Sequence, residues 1–100
     1  MELSYQFPSK ETRNHFLRLI AMNVGEHGYG LGLEFDGLEY SIERSDARGD
    51  LISHIGNKAR GEWRLASTRV VLDMGVIAQH RDNFEKLRSR LAEIAAQFGG

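Results

Sequence analysis

Four short runs of alternating apolar residues and two longer runs with apolar residues at helical spacing predict an α+β fold for this 100-residue chain. An antiparallel sheet with helices on one face covers every one of those apolar stripes. With this order of elements, a ferredoxin-like (split βαβ) arrangement is the expected layout. The length suits one domain, so residues 1–100 are read as a single α+β domain.

Leu3, Tyr5 and Phe7 alternate with polar neighbours, the period of a strand with one buried face, and Pro8 stops the run. Ser9 can cap a helix by accepting a hydrogen bond from a first-turn amide, and Glu11 complements the helix dipole there. The helix is predicted from Lys10 to about Val24. Phe16, Leu17, Ile20 and Val24 face inward, Arg13, Asn14 and Arg18 outward, and Gly25 or Gly28 ends it. Next, Leu31, Leu33 and Phe35 alternate, then Leu38, Tyr40 and Ile42, with Asp36-Gly37 between. Both residues of that dipeptide tolerate positive φ, as a two-residue hairpin turn requires, so 31–43 is expected to be a β-hairpin with Glu34, Glu39 and Glu43 on its solvated side.

Residues 44–66 carry weaker signals. Ser45-Asp46 and Gly49-Asp50 resemble loop or cap positions. Leu51, Ile52 and Ile55 suit a short helix that Gly56 and Gly61 would limit. Val70, Leu72, Met74 and Val76 then alternate within Arg69–Ile77, where Val71 gives the second face apolar character, as in a central strand. Asp82, followed three residues later by Glu85, resembles a capping box. Phe84, Leu87, Leu91, Ile94, Ala95 and Phe98 form the stripe of a final amphipathic helix ending at Gly99-Gly100.

Composition narrows function. Thirteen basic residues against fourteen acidic ones give a net charge of −1, which argues against a general affinity for nucleic acid. The absence of cysteine excludes disulfides, thiolate chemistry and cysteine zinc sites, and agrees with a reducing cytoplasm. No apolar run has the length of a membrane helix. Met1-Glu2-Leu3-Ser4 lacks the basic head and apolar run of a signal peptide. A cytoplasmic location, with no membrane partner and no cofactor, is the expectation.

The residues with chemical potential have bland readings beside sharper ones. His15, His27, His54 and His80 form no i, i+4 pair and no zinc pattern, so they read as surface or cap residues, with no metal expected. Asp73 would be a candidate base if buried, but alternation sets it opposite Leu72 and Met74 on the solvated side. Gly25, Gly28, Gly30 and Gly32 follow a helix and lead into a strand, the reverse of a phosphate-binding loop, and so read as a turn. No catalytic residue is assigned, and an enzyme is not expected. Trp63, in the locally basic part of the chain, either folds onto the core or anchors a contact surface, where an aromatic ring with arginines can stack on a base or a protein. The candidate partner-binding residues are Lys58, Arg60, Trp63, Arg64 and Arg69.

The stretch from Val76 to Gly100, VIAQHRDNFEKLRSRLAEIAAQFGG, resembles the carboxy-terminal helix of the regulator of ribonuclease activity B (ribonuclease E inhibitor) family. Leu91-Ala92, Ala95 and Phe98-Gly99-Gly100 carry the likeness, with a looser match at Tyr5-Gln6-Phe7-Pro8-Ser9 and Gly28-Tyr29. Residues 44–66 have no counterpart in it, and members of that family are markedly acidic. The resemblance implies a ferredoxin-like sheet over the helix and a non-enzymatic inhibitor that binds a nuclease.

Together these readings favour a cytoplasmic bacterial regulatory or inhibitory domain that binds another protein. The alternatives are a small nucleic-acid-binding domain using the basic 58–69 segment and an immunity protein that blocks a toxin. A second copy of the chain is a further candidate partner, through the last helix or an open sheet edge.

Overall fold

The computed structural model describes residues 1–22, 31–53, 59–79 and 81–100. Its elements are β1 (Glu2–Gln6), α1 (Lys10–Met22), β2 (Leu31–Glu34), α2 (Leu38–Glu43), β3 (Arg48–Ser53), β4 (Ala59–Ala66), β5 (Arg69–Asp73), a 3₁₀ helix (Gly75–Gln79) and α3 (Arg81–Ala96). The strands form one five-stranded sheet in the order β1-β5-β4-β3-β2. All four pairings are antiparallel. The fold is therefore α+β with an antiparallel sheet, as expected; β1 and β2, joined through α1, run the same way but stand at opposite edges with three strands between them, where a ferredoxin-like (split βαβ) layout has one. Here β2 to β5 run as a meander and β1 closes the far edge beside β5.

One core lies between the sheet and the helices. Leu51, Trp63, Leu65, Val70 and Leu72 from the strands meet Phe16, Leu17 and Ile20 of α1, Ile42 of α2, and Phe84, Leu87, Leu91, Ile94 and Ala95 of α3. The stripes read from helical spacing are thus the buried ones. Phe16 gathers Tyr5 and Phe7 at ring-centroid distances of 5.4 and 5.0 Å, tying α1 to β1. Ser9 caps α1 as expected, its Oγ accepting from the Thr12 amide at 3.2 Å. At the other end, Gly99 is left-handed at φ 80°, and the Gly100 and Gly99 amides donate back to the Ala95 and Ala96 carbonyls at 2.9 and 3.2 Å. This double bond closes α3. Asp82 lies inside the first turn of α3, not at its cap, because the helix starts at Arg81.

Four further expectations are corrected. The 31–43 hairpin is not formed: β2 ends at Glu34, and Leu38–Glu43 is the helix α2. Gly37 does adopt positive φ (74°), but it serves as the helix N-cap, with its carbonyl accepting from the Ser41 amide at 2.9 Å. As a result Ile42 is buried, whereas Tyr40 is exposed. The short helix around Leu51 and Ile52 is instead the β3–β4 pair, with Ile55 outside the described residues. The strand expected over Arg69–Ile77 ends at Asp73. Gly75, at φ 50°, turns the chain into the 3₁₀ helix and leaves Val76 exposed. Val24, Gly25 and Gly28 lie outside the described residues.

The fourth correction concerns α1. Arg13 and Asn14, expected on the solvated side, are buried, Arg13 completely at 0% exposure. Arg13 sits one turn before Phe16 and Leu17, on the stripe that faces the core. Its Nε and Nη2 donate to Asn14 Oδ1 at 3.0 and 2.9 Å, Nη2 also donates to the Ile42 carbonyl at 2.6 Å, and Nη1 donates to the Ser67 carbonyl. Burial pulls this guanidinium's pKa below its usual value, and the charge of Glu43 opposes that shift. The acceptors are neutral carbonyls. Ile42 lies in the last turn of α2, where the helix dipole is negative and favours a cation. Ser67, at φ 59°, belongs to the tight β4–β5 turn. One side chain therefore joins α1, α2 and that turn.

Replacing Arg13 by alanine leaves these carbonyls buried without donors and should cost about 3 kcal/mol, read as a lower urea midpoint. Arg13→Lys keeps the charge but loses the fork and should lose roughly half as much. Gly61→Ala should also destabilise, by about 2 kcal/mol, because its Cβ would fall 2.2 Å from the backbone oxygen of Asp73.

Candidate functional site

Residues directly opposed in an antiparallel pair share a face. On the covered face, Leu3, Leu72, Trp63 and Gly49 lie in one line across four strands. Trp63 is fully buried, with Phe35 at a centroid distance of 4.9 Å and Nε1 donating to the Glu34 carbonyl at 3.5 Å. Its indole occupies the space beside Gly49, where a Cβ would come within 2.3 Å of Nε1. Of its two roles, Trp63 thus takes the core one, which withdraws it from the candidate contact residues.

Among the described residues, the opposite face carries no helix, and charged side chains dominate it. Glu2 stands opposite Asp73, Asp73 opposite Glu62, Glu62 opposite Asp50, and Asp50 opposite Glu34. Each of the five strands contributes one carboxylate to a single row, and all five residues are exposed. At the usual strand spacing this row is about 19 Å long. Asp73 is on the solvated side as expected, where its Oδ1 accepts from the Gly75 amide at 3.2 Å.

Arginines flank the row on both sides. Two residues along the strands lie Arg48 and Arg64, directly opposite each other, with Arg64 also opposite Val71. Beyond Arg64 on the same flank, Arg69 stands opposite Gln6 and Ala66, and on the other flank Arg60 stands opposite Ile52. Of the expected contact residues, the structure therefore brings Arg60, Arg64 and Arg69 to one face, while Lys58 lies outside the described residues. Ion pairs across the rows are long and exposed: Arg64 to Glu2 at 3.7 Å and Arg60 to Asp50 at 3.9 Å. A groove of about 400 Å³ runs between Arg48 and Arg64 on one wall and Glu2, Asp73, Glu62 and Asp50 on the other. Nearby, Arg44 hydrogen-bonds Asp46 and holds that carboxyl below the usual carboxylate range.

The carboxylate row does not show in the sequence, because the local signals of residues 44–66 suit a loop and a short helix. Once β3 and β4 are paired, alternation alone puts Asp50 and Glu62 side by side. Gly32 falls within β2, while Gly25, Gly28 and Gly30 lie outside the described residues, as do His27, His54 and His80. His15 is exposed on α1, near Phe98. Among the described residues, no group of three or more His, Cys, Asp or Glu is placed to hold a metal ion, and no helix is long and apolar enough to cross a membrane.

Like charges directly opposed across strands are destabilising by several tenths of a kcal/mol per pair. This face carries four such acid pairs and the Arg48–Arg64 pair, an arrangement that the sheet's own stability does not favour. Comparison with known protein families, curated proteins and solved structures gave no match.

Glu62 has a carboxylate on either side, so Glu62→Gln should raise the stability of the isolated protein by about 0.5 kcal/mol at low salt. Denaturation in roughly 0.5 M sodium chloride should shrink that gain, since screening relieves the same repulsion in the parent chain.

Proposed function

We propose that the chain is a non-catalytic regulatory or inhibitory domain of the cytoplasm, and that it binds another protein through the open face of its sheet. The observation that supports this most is the uninterrupted carboxylate row from Glu2 to Glu34. Five acids aligned at a cost in stability are accounted for if a cationic partner surface neutralises them when bound. Proteins that act on RNA or DNA present such surfaces, because they must neutralise phosphates. A ribonuclease, the partner implied by the sequence resemblance, has this chemistry. A nuclease toxin held by an immunity protein would present the same kind of surface. Direct nucleic-acid binding through Arg60, Arg64 and Arg69 is the weaker reading, since the carboxylates lie between Arg60 and Arg64 and would repel phosphates. The burial of Trp63 also removes the ring that would stack on a base.

The test compares the parent protein with Asp50→Ala/Glu62→Ala and with a control, Glu11→Gln, on the exposed side of α1. Each is used to capture partners from a lysate, and the captured protein is purified and titrated. The double variant should bind at least about tenfold more weakly, and parent affinity should fall as salt rises, while the control binds like the parent. Equal binding by all three overturns the assignment of this face. RNA bound more tightly by the double variant than by the parent supports the nucleic-acid reading instead.

A further inference from the structure

The charges on the open face are sorted into rows of one sign. Asp50 and Glu62 are neighbours in the acid row, and Arg48 and Arg64 are neighbours in the next. Along each strand the order is Arg48-Gly49-Asp50 on β3 and Glu62-Trp63-Arg64 on β4. Opposite charges therefore stand two residues apart on both central strands, a separation of about 6.6 Å.

We propose that, when no other partner is bound, this face pairs with a second copy of the chain across a two-fold axis. The axis runs parallel to the rows, midway between the acid row and the Arg48–Arg64 row. Rotation about it lays each acid row over the arginine row of the other copy, with each strand above its own counterpart. Glu62 then meets Arg64 of the second copy and Asp50 meets its Arg48, and both contacts are repeated by symmetry, as a two-fold interface demands. The Asp50–Glu62 pair and the Arg48–Arg64 pair each gain an opposite pair above them, while Asp73 and Glu2 meet Val71 and Ser4 of the second copy. The long exposed pairs Arg64–Glu2 and Arg60–Asp50 leave these side chains free to re-aim.

The face offers roughly 400 Å² per copy, about 19 Å across the strands by three side-chain rows along them. That is below the size of permanent interfaces and in the range of transient ones. The pairing is therefore reversible and salt-sensitive, and it hides the docking face until a better cationic partner displaces the copy. The inference rests on the open face being the docking surface. The two fail separately, because self-association is measured on the purified chain alone.

The experiment is sedimentation velocity over a range of protein concentrations, at low and high salt, on the parent, Glu62→Arg and Arg64→Glu. Circular dichroism confirms that each variant is folded. The parent should show a reversible monomer–dimer equilibrium weakened by salt. Each variant alone should dimerise at least about tenfold more weakly, because like charges then face each other. An equimolar mixture of the two variants should dimerise again, since one copy presents two guanidinium groups and the other two carboxylates at the same contacts. If either variant does not fold, the pair Asp50→Arg and Arg48→Glu gives the same mixing test on β3. A parent that stays monomeric at all concentrations, or a mixture no more dimeric than its components, overturns the proposal.

Discussion

Arg13 reaches from the first helix to two places that the chain visits much later, the last turn of α2 at Ile42 and the β4–β5 turn at Ser67. A guanidinium removed from water is tolerable only where acceptors surround it, and here the acceptors are main-chain oxygens plus Asn14. Those carbonyls are in turn fixed by the elements that carry them. If α2 were a strand, Ile42 would not sit at the negative end of a helix. If the β4–β5 turn were looser, the Ser67 carbonyl would not face Arg13. The constraint runs both ways, so the position of α2, the register of β4 with β5 and the depth of α1 are settled together.

That same residue shows where sequence reading goes astray. Arg13 stands at helical spacing from Phe16, Leu17 and Ile20, so its periodicity was inward. Its charge alone placed it outside, and the partners that make burial tolerable are 29 and 54 residues away. The Asp36-Gly37 signal was ambiguous in another way. A left-handed glycine suits a hairpin turn and a helix entry equally, and Leu38 and Ile42 share a face at both periods. Capture of the Ile42 carbonyl by Arg13, a tertiary interaction, favours the helix. By contrast, β1, α1 and α3 rest on local apolar periods long enough to need no distant help, and the apolar residues Phe16, Leu17 and Ile20 of α1 and Phe84, Leu87, Leu91, Ile94 and Ala95 of α3 are buried as expected.

The β3–β4 pair was illegible for a reason that bears on the candidate face. Alternation is visible when one face is apolar, but two inward positions of this pair are Gly49 and Gly61, which must be small because Trp63 and the Asp73 carbonyl occupy their space. Most of the outward positions are charged: Arg48, Asp50, Arg60, Glu62 and Arg64. A strand pair whose inner face borrows its bulk from a neighbouring indole, and whose outer face is saturated with ions, looks like a solvated loop. The arginines of the candidate set could be named from their density in the sequence. The acids could not, because their alignment exists only across five separate strands.

The ends of the carboxylate row lie on the two outermost strands, Glu2 on β1 and Glu34 on β2. Among the described residues no further strand pairs with their outer sides, and a strand margin of that kind is the usual template for runaway assembly into fibres. A second sheet continuing the first at either margin, with its row aligned, would bring one negative terminus against another. The penalty would recur at every added molecule. The charge pattern thus discourages filaments while leaving the broad surface free to stack.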